Sequence, residues 1–259
     1  MTGSPFEGVQ LKIKWAYAKI HELNACIKSA FAGERCAPFC EVEPDSGRRV
    51  LKVRLVDPVS DDLLRIVAEH VYHLRSSLDQ LAVVLARLNG ATTTTGIYFP
   101  FAGDAAEFAS AGTQRKTSKL NAADVELIWA LKPYRGGDNA LWGLSRLSNV
   151  DKHIELIPVA NGPHSVTVTH VEFFAGTIGF GIGVGAIPGA VEPLNSGVTV
   201  ADVGPDGTFG FTEQSQVQLE ADVVFGDVEV FKGLSVTVTL FDLTQHIEKI
   251  VGKFVARYA

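Results

Sequence analysis

The chain is poor in cysteine: Cys26, Cys36 and Cys40 are the only three in 259 residues. An odd number at these spacings builds no disulfide framework, zinc ribbon or thioredoxin-type motif, and reduced thiols in a reducing compartment account for them. Cys36 and Cys40, in ERCAPFCEV, offer two metal positions at most. The stretch MTGSPFEGVQLKIKW lacks the basic start and apolar run of a secretory signal, and no later run reaches the ~18 apolar residues of a membrane-spanning helix. The expectation is a cytoplasmic protein that makes no use of a membrane. A G-x-S-x-G elbow is also missing, and the nearest histidine to Cys26 in sequence is His21, so nothing resembles a serine or cysteine triad.

Basic residues are scarce in one long region. Between Leu156 and Leu240 the only one is Lys232, against nine acids, which leaves 22 bases and 20 acids for the rest of the chain. The second half therefore repels polyanions, and any nucleic acid would be held by the first half, without the basic excess of a dedicated non-specific binder.

What is present is a globular composition, 46% hydrophobic and 20% charged, with enough length to bury a core without staples. From Val9 to Phe31, apolar residues recur at helical spacing, with Ser4-Pro5 as a start signal. Glu41 to Val56 reads as two short strands joined through Pro44-Asp45-Ser46-Gly47, which predicts a hairpin over about 39–56. Ser60 caps a second helix that Asn89-Gly90 ends; its seam of Leu64, Val67, Val71, Leu74, Leu78, Leu81, Leu85 and Leu88 should pack lengthwise against another helix, within the chain or across a dimer.

After IYFPF, residues Ala102 to Lys119 read as loop or a short helix. Asn121, with Asp124 three residues on, starts a third long helix, and Asp138 caps a fourth running through LWGLSRLSNVDKH. From about Ile157 the period changes to two: Val166 and Val168, then Val217 to Phe225, then Val236, Val238 and Leu240 read as strands. Gly179, Gly181, Gly183 and Gly185 fall on every second position, which marks a strand with one bare face rather than a phosphate loop. A closing helix over about 243–258 could dock on the sheet or return to the bundle. The fold class is thus α+β: a helical domain over 1–155 carrying the hairpin, then an antiparallel β region with a C-terminal helix over 156–259.

Three polar groups bear on chemistry. Arg146, Asn149 and His153 point the same way on one helix, a guanidinium able to hold a phosphodiester and an imidazole able to move a proton, which is what metal-free RNA cleavage needs. Asp151 and Lys152 fall on other faces of that helix. On the second helix, EHVYHLRSSLDQ places His70 beside the leucine seam and Arg75 one turn from Asp79, as an ion pair and a satisfied core histidine would require. Glu69 and His73 share a face, but neither His21 with Glu22 nor Asp151 with His153 has the spacing of a matching chelate, so no metal site is assigned. No cofactor is implied.

The blocks HLRSSLDQLA, YFPF, LKPY and LWGLSRLSNVDKH, followed by a β-rich segment and a terminal helix, resemble a widespread bacterial family that carries LRSxLD, PY and DKH blocks in this order. Gln80 stands where that family has histidine and Ile154 where it has arginine. The resemblance carries architecture; that family has no assigned activity to transfer. Arg146 and His153, with six residues between them, are also similar to the arginine and histidine of the helical HEPN superfamily, although Leu147 replaces the polar residue that commonly follows the arginine. That similarity implies a metal-independent endoribonuclease of a defence or toxin system, with His153 as acid and base, Arg146 on phosphate and Asn149 orienting one of them. The reading favoured from sequence is nevertheless a binding or assembly module built on a HEPN-like bundle, with a homodimer or another protein as partner and RNA as partner only under the ribonuclease alternative. A metal-dependent helical enzyme is the second alternative.

Overall fold

The structure is a computed structural model that describes residues 3–30, 36–55, 60–153, 159–175, 178–184, 198–203, 207–226 and 229–259; of these, the side chains of 30, 36–38, 53–55, 150–153 and 159–222 lie outside the description. The chain is α+β and forms two compact units that interleave in sequence. One unit comprises 1–24, 64–158 and 227–259 and is helical; the other comprises 25–63 and 159–226 and contains the strands.

In the helical unit, α1 (Glu7–Ala30) runs through the unit boundary; Phe6 just before it and its own Val9, Ile13, Ala16, Ile20 and Leu23 are buried at alternating spacings of three and four. Ser4 opens it, accepting from Glu7 N through its carbonyl and from Phe6 N through its hydroxyl. The second helix, α2 (Asp61–Leu88), begins where Ser60 Oγ accepts from Leu63 N, and ends where Gly90, at φ +84°, turns the chain. Its seam from Val67 to Leu85 is wholly buried within the chain, and only Leu88 at the end is exposed. Each of these leucines contributes about 2–3 kcal/mol by leaving water.

Residues 102–119 hold two short helices, α3 (Ala105–Phe108) and α4 (Ala111–Lys116), capped by Asp104 and Ser110. The next helix, α5 (Ala122–Leu131), is capped by Asn121 as its sequence predicts and stops at Lys132, which takes the left-handed conformation before Pro133. Asp138 accepts from Leu141 N and opens α6 (Asn139–His153). Gly143 on α6 lets the ring of buried Phe231 lie against the backbone, where a Cβ would collide with it.

The last helix, α7 (Val236–Arg257), corrects the sequence reading at its start. Val236, Val238 and Leu240 alternate like a strand, yet Ser235 caps a helix there through Val238 N. Buried Val236, Thr239, Leu240, Leu243, Thr244 and Ile247 show the helical period; Val238 points to solvent. A tertiary face that accepts every third or fourth residue overrides local β propensity here. Of the two places open to it, sheet or bundle, α7 takes the bundle.

In the second unit, β1 (Cys36–Val42) and β2 (Arg49–Leu55) form the expected antiparallel hairpin, turned at Gly47 with φ +68°. The hairpin is not isolated: β2 pairs with β5 (Val198–Val203), making a three-stranded sheet. A second sheet has order β4-β3-β6, with β3 (Val159–Ala175) central between β4 (Ile178–Val184) and the long β6 (Gly207–Phe225), all antiparallel. The alternate glycines 179, 181 and 183 lie on β4.

Candidate functional site

On α6, Leu144 and Leu147 are fully buried while Arg146 and Asn149 are exposed, so the two polar residues share the solvent side of the helix as its period requires. Neither side chain makes a hydrogen bond or ion pair among the described residues. Backbone helix continues through Asp151, Lys152 and His153, whose side chains lie outside the described residues. The amino end of α6 is fixed tightly: Asp138 Oδ2 meets His246 Nε2 of α7 at 2.6 Å, and the Asp138 carboxyl is held below the usual range by His246 and the α6 amides, against the opposing effect of its own burial.

The polar residues of α2 are engaged inside the fold. Arg75 lays its guanidinium 3.8 Å from the centre of the Phe101 ring, and its Nε lies 3.4 Å from Asp79 Oδ2. Asp79 Oδ1 accepts from Phe99 N at 3.0 Å, and Lys116 Nζ donates to Phe101 O at 3.0 Å. The blocks LRSSLD and YFPF are therefore one device, in which a half-buried ion pair on the helix clamps the backbone and rings of the following segment. Burial lowers the pKa of both Arg75 and Lys116, with Arg75 adding to the effect on Lys116. Cation–π stacking of this kind contributes about 0.5–2 kcal/mol. Among the described residues, Arg75 Nη1 is buried without a hydrogen-bond partner.

His70 is fully buried at the junction of α1, α2 and α7. Its Nδ1 lies 3.0 Å from Ala16 O and its Nε2 3.1 Å from Thr244 Oγ1, which is also 2.8 Å from Leu240 O. A carbonyl only accepts, so Nδ1 carries the proton of the neutral ring, and the single hydroxyl proton of Thr244 faces two acceptors, Leu240 O and His70 Nε2. Burial pushes this imidazole down to about 4, against a smaller upward pull from the Ala16 and Leu240 carbonyls. A histidine so placed is a polar pin between three helices.

The metal alternative gains no cluster. Glu69 is held by Lys19 at 2.5 Å and Arg65 at 2.9 Å, and Glu22 by the same two cations at 2.6 and 3.2 Å. His73 instead packs on Trp15, ring centres 5.4 Å apart, with burial and the nearby Lys12 and Lys19 lowering its pKa. Among the described residues no three metal-ligating side chains gather. No helix among them is long and apolar enough to cross a membrane.

Three features lay beyond sequence reasoning. Fully buried Asp124, the third residue of α5, accepts from Tyr258 Oη at 2.5 Å and Asn121 Nδ2 at 2.7 Å, with Arg257 Nε 3.1 Å from its other oxygen. This knot fastens the end of α7 to the start of α5. A groove between α1 and α7 has a volume of about 470 Å³ and is closed at one side by Tyr17 Oη donating to Glu248 Oε2 at 2.8 Å. Finally, Leu11 and Trp15 of α1 and Tyr72 of α2 are exposed, at 40%, 45% and 53%. Lys12 joins the two helices, donating to Ser76 Oγ at 3.0 Å and standing 5.5 Å from the Tyr72 ring centre. The exposed aromatics were legible only as departures from the apolar stripe of each helix, which marks them as outward but not as neighbours.

The chain matches no family model, no curated protein and no solved structure.

Proposed function

We propose that this protein is an assembly module whose working surface is the outer face of α1 and α2. The observation that carries the reading is the exposed trio Leu11, Trp15 and Tyr72 beside Lys12 and Lys14. Large aromatics gain most by burial in a partner's surface, and clusters of them are the usual anchors of protein interfaces. The polar residues of α2, His70, Arg75 and Asp79, expected from sequence as a core histidine and an ion pair, are spent on internal contacts. That arrangement supports a structural part for them.

Charge selects the occupant. Glu22, Glu69 and Asp79 are engaged by Lys19, Arg65 and Arg75, whereas Lys12 and Lys14 have no carboxylate partner among the described residues. A second copy of this same face would set cation against cation, so the face suits an acidic surface. The chain itself carries an acidic segment over 159–226, with seven acids and no lysine or arginine in the sequence. The occupant we assign is that segment of a second copy, in a heterologous contact that grows by repetition. A cytoplasmic setting belongs to the same proposal and rests on the scarcity of cysteine.

Zero-length carbodiimide coupling of a mixture of isotope-labelled and unlabelled chain tests it. Mixed-isotope cross-links from Lys12 or Lys14 to acids within 159–226 are expected; cross-links confined to single chains, or joining two α1–α2 faces, overturn the assignment.

The ribonuclease reading draws on the exposure of Arg146 and Asn149 together on α6. Purified chain incubated with RNA and EDTA should then cleave and His153→Ala should not; equal activity in the two removes this reading.

A further inference from the structure

Gly252 stands in the last two turns of α7, with φ in the ordinary helical range and nothing within 4 Å of the position a Cβ would take. A glycine there costs roughly 0.5–1 kcal/mol of helix stability relative to alanine. Two other helical glycines have a reason in their surroundings: a Cβ on Gly8 would strike the Gln80 amide and one on Gly143 the Phe231 ring. Neither a special dihedral nor a close neighbour accounts for Gly252. Its missing side chain leaves open the groove of about 470 Å³ between α1 and α7.

The floor of that groove is apolar. Ile13 and Val251 are nearly fully buried, and Val255 and Ala256 continue the surface one turn on. Polar groups stand at the rim: Gln10 and Lys14 from α1, and Glu248, whose Oε2 already takes the Tyr17 hydroxyl. The phenol is locked in that role, its pKa pushed up to about 12 by burial and by Glu248. Lys14 is the one cation lining the groove and has no partner among the described residues. An apolar concavity of a few hundred Å³ with a few convergent polar groups is the usual form of a small-molecule site.

We infer that the α1–α7 groove binds a small amphipathic carboxylate, its apolar body over Ile13, Val251 and Gly252 and its charged head between Lys14 and Gln10. Charge decides between head groups. Glu248 repels a second carboxylate from the Tyr17 side and so orients the ligand toward Lys14, while an ammonium head would turn to Glu248 instead. This inference goes beyond the assembly reading and does not rest on it: the two share Lys14, but the groove is otherwise built from residues of α1 and α7 that the α1–α2 face does not use.

Titration calorimetry of the intact chain with decanoate, decanol and decyltrimethylammonium, all below their micelle concentrations, tests it. Saturable one-to-one binding of decanoate is expected, weakened about tenfold by Lys14→Gln through loss of a charge-assisted contact and weakened at least as much by Gly252→Leu, whose side chain obstructs the groove. Gly252→Ala should raise the melting temperature and weaken binding less, which separates a filled groove from a damaged fold. Absence of saturable decanoate binding, equal binding of all three probes, or undiminished binding in a folded Gly252→Leu chain overturns the site.

Discussion

Acid should loosen the helical unit through one residue, His70. Its ring is fully buried between Ala16 and Thr244 and its pKa lies at about 4, against 6.5 for a free imidazole. The folded state therefore holds fewer protons than the unfolded chain between these two values. Stability from the neutral ring is complete above pH 6.5, falls as pH drops below it, and is gone below about 4. The difference amounts to roughly 3 kcal/mol at about 1.4 kcal/mol per pH unit. Other groups also titrate in this range: the carboxyls of Glu22, Glu69 and Asp138 have lowered pKa values, so their stabilisation also declines as pH falls. Urea unfolding of the wild type and of His70→Gln, followed by circular dichroism at pH 7, 5.5 and 4, subtracts them. The gap in unfolding free energy between the two proteins should shrink by roughly 3 kcal/mol from pH 7 to pH 4. A gap that stays constant across that range would refute the buried neutral pin.

Three further outcomes follow from the packing. Tyr258→Phe removes a hydrogen bond to the fully buried Asp124 carboxylate and should lower stability by about 1–3 kcal/mol in urea melts. Ser235→Ala removes the cap of α7 and should cost about 1 kcal/mol, with amide exchange rising first at Val238. Gly143→Ala, which on propensity alone would favour the helix, should instead destabilise by about 1–3 kcal/mol because its methyl meets the Phe231 ring; a raised melting temperature would contradict that packing.

Helix caps and the long seam were legible because their causes are local. Ser60, Asn121 and Asp138 each accept from an amide three residues on, as the sequence predicts. The hairpin was equally legible from its Pro44–Gly47 turn, but not its union with β5, because strand pairing across about 150 residues leaves no local signature. The start of α7 was misread since Val236, Val238 and Leu240 satisfy a strand period over a short window, and the competing helical period shows only when Leu243 and Ile247 are included. At the candidate site, the helical wheel sets Arg146, Asn149 and His153 on one side of α6; Arg146 and Asn149 are exposed, and the His153 side chain lies outside the described residues. The wheel also paired Arg75 with Asp79. It could not show that Phe101 lies over Arg75 or that Thr244 meets His70, since those contacts join residues 26 and 174 positions apart.

Sedimentation velocity of the intact chain tests the assembly reading most directly. At low ionic strength the weight-average mass should rise with concentration without settling at a dimer. It should fall toward the monomer in high salt, which screens Lys12 and Lys14 from the acidic segment, and also with Trp15→Glu or Tyr72→Glu. A chain that stays monomeric at every concentration and salt, or a dimer indifferent to Trp15 and Tyr72, would contradict it.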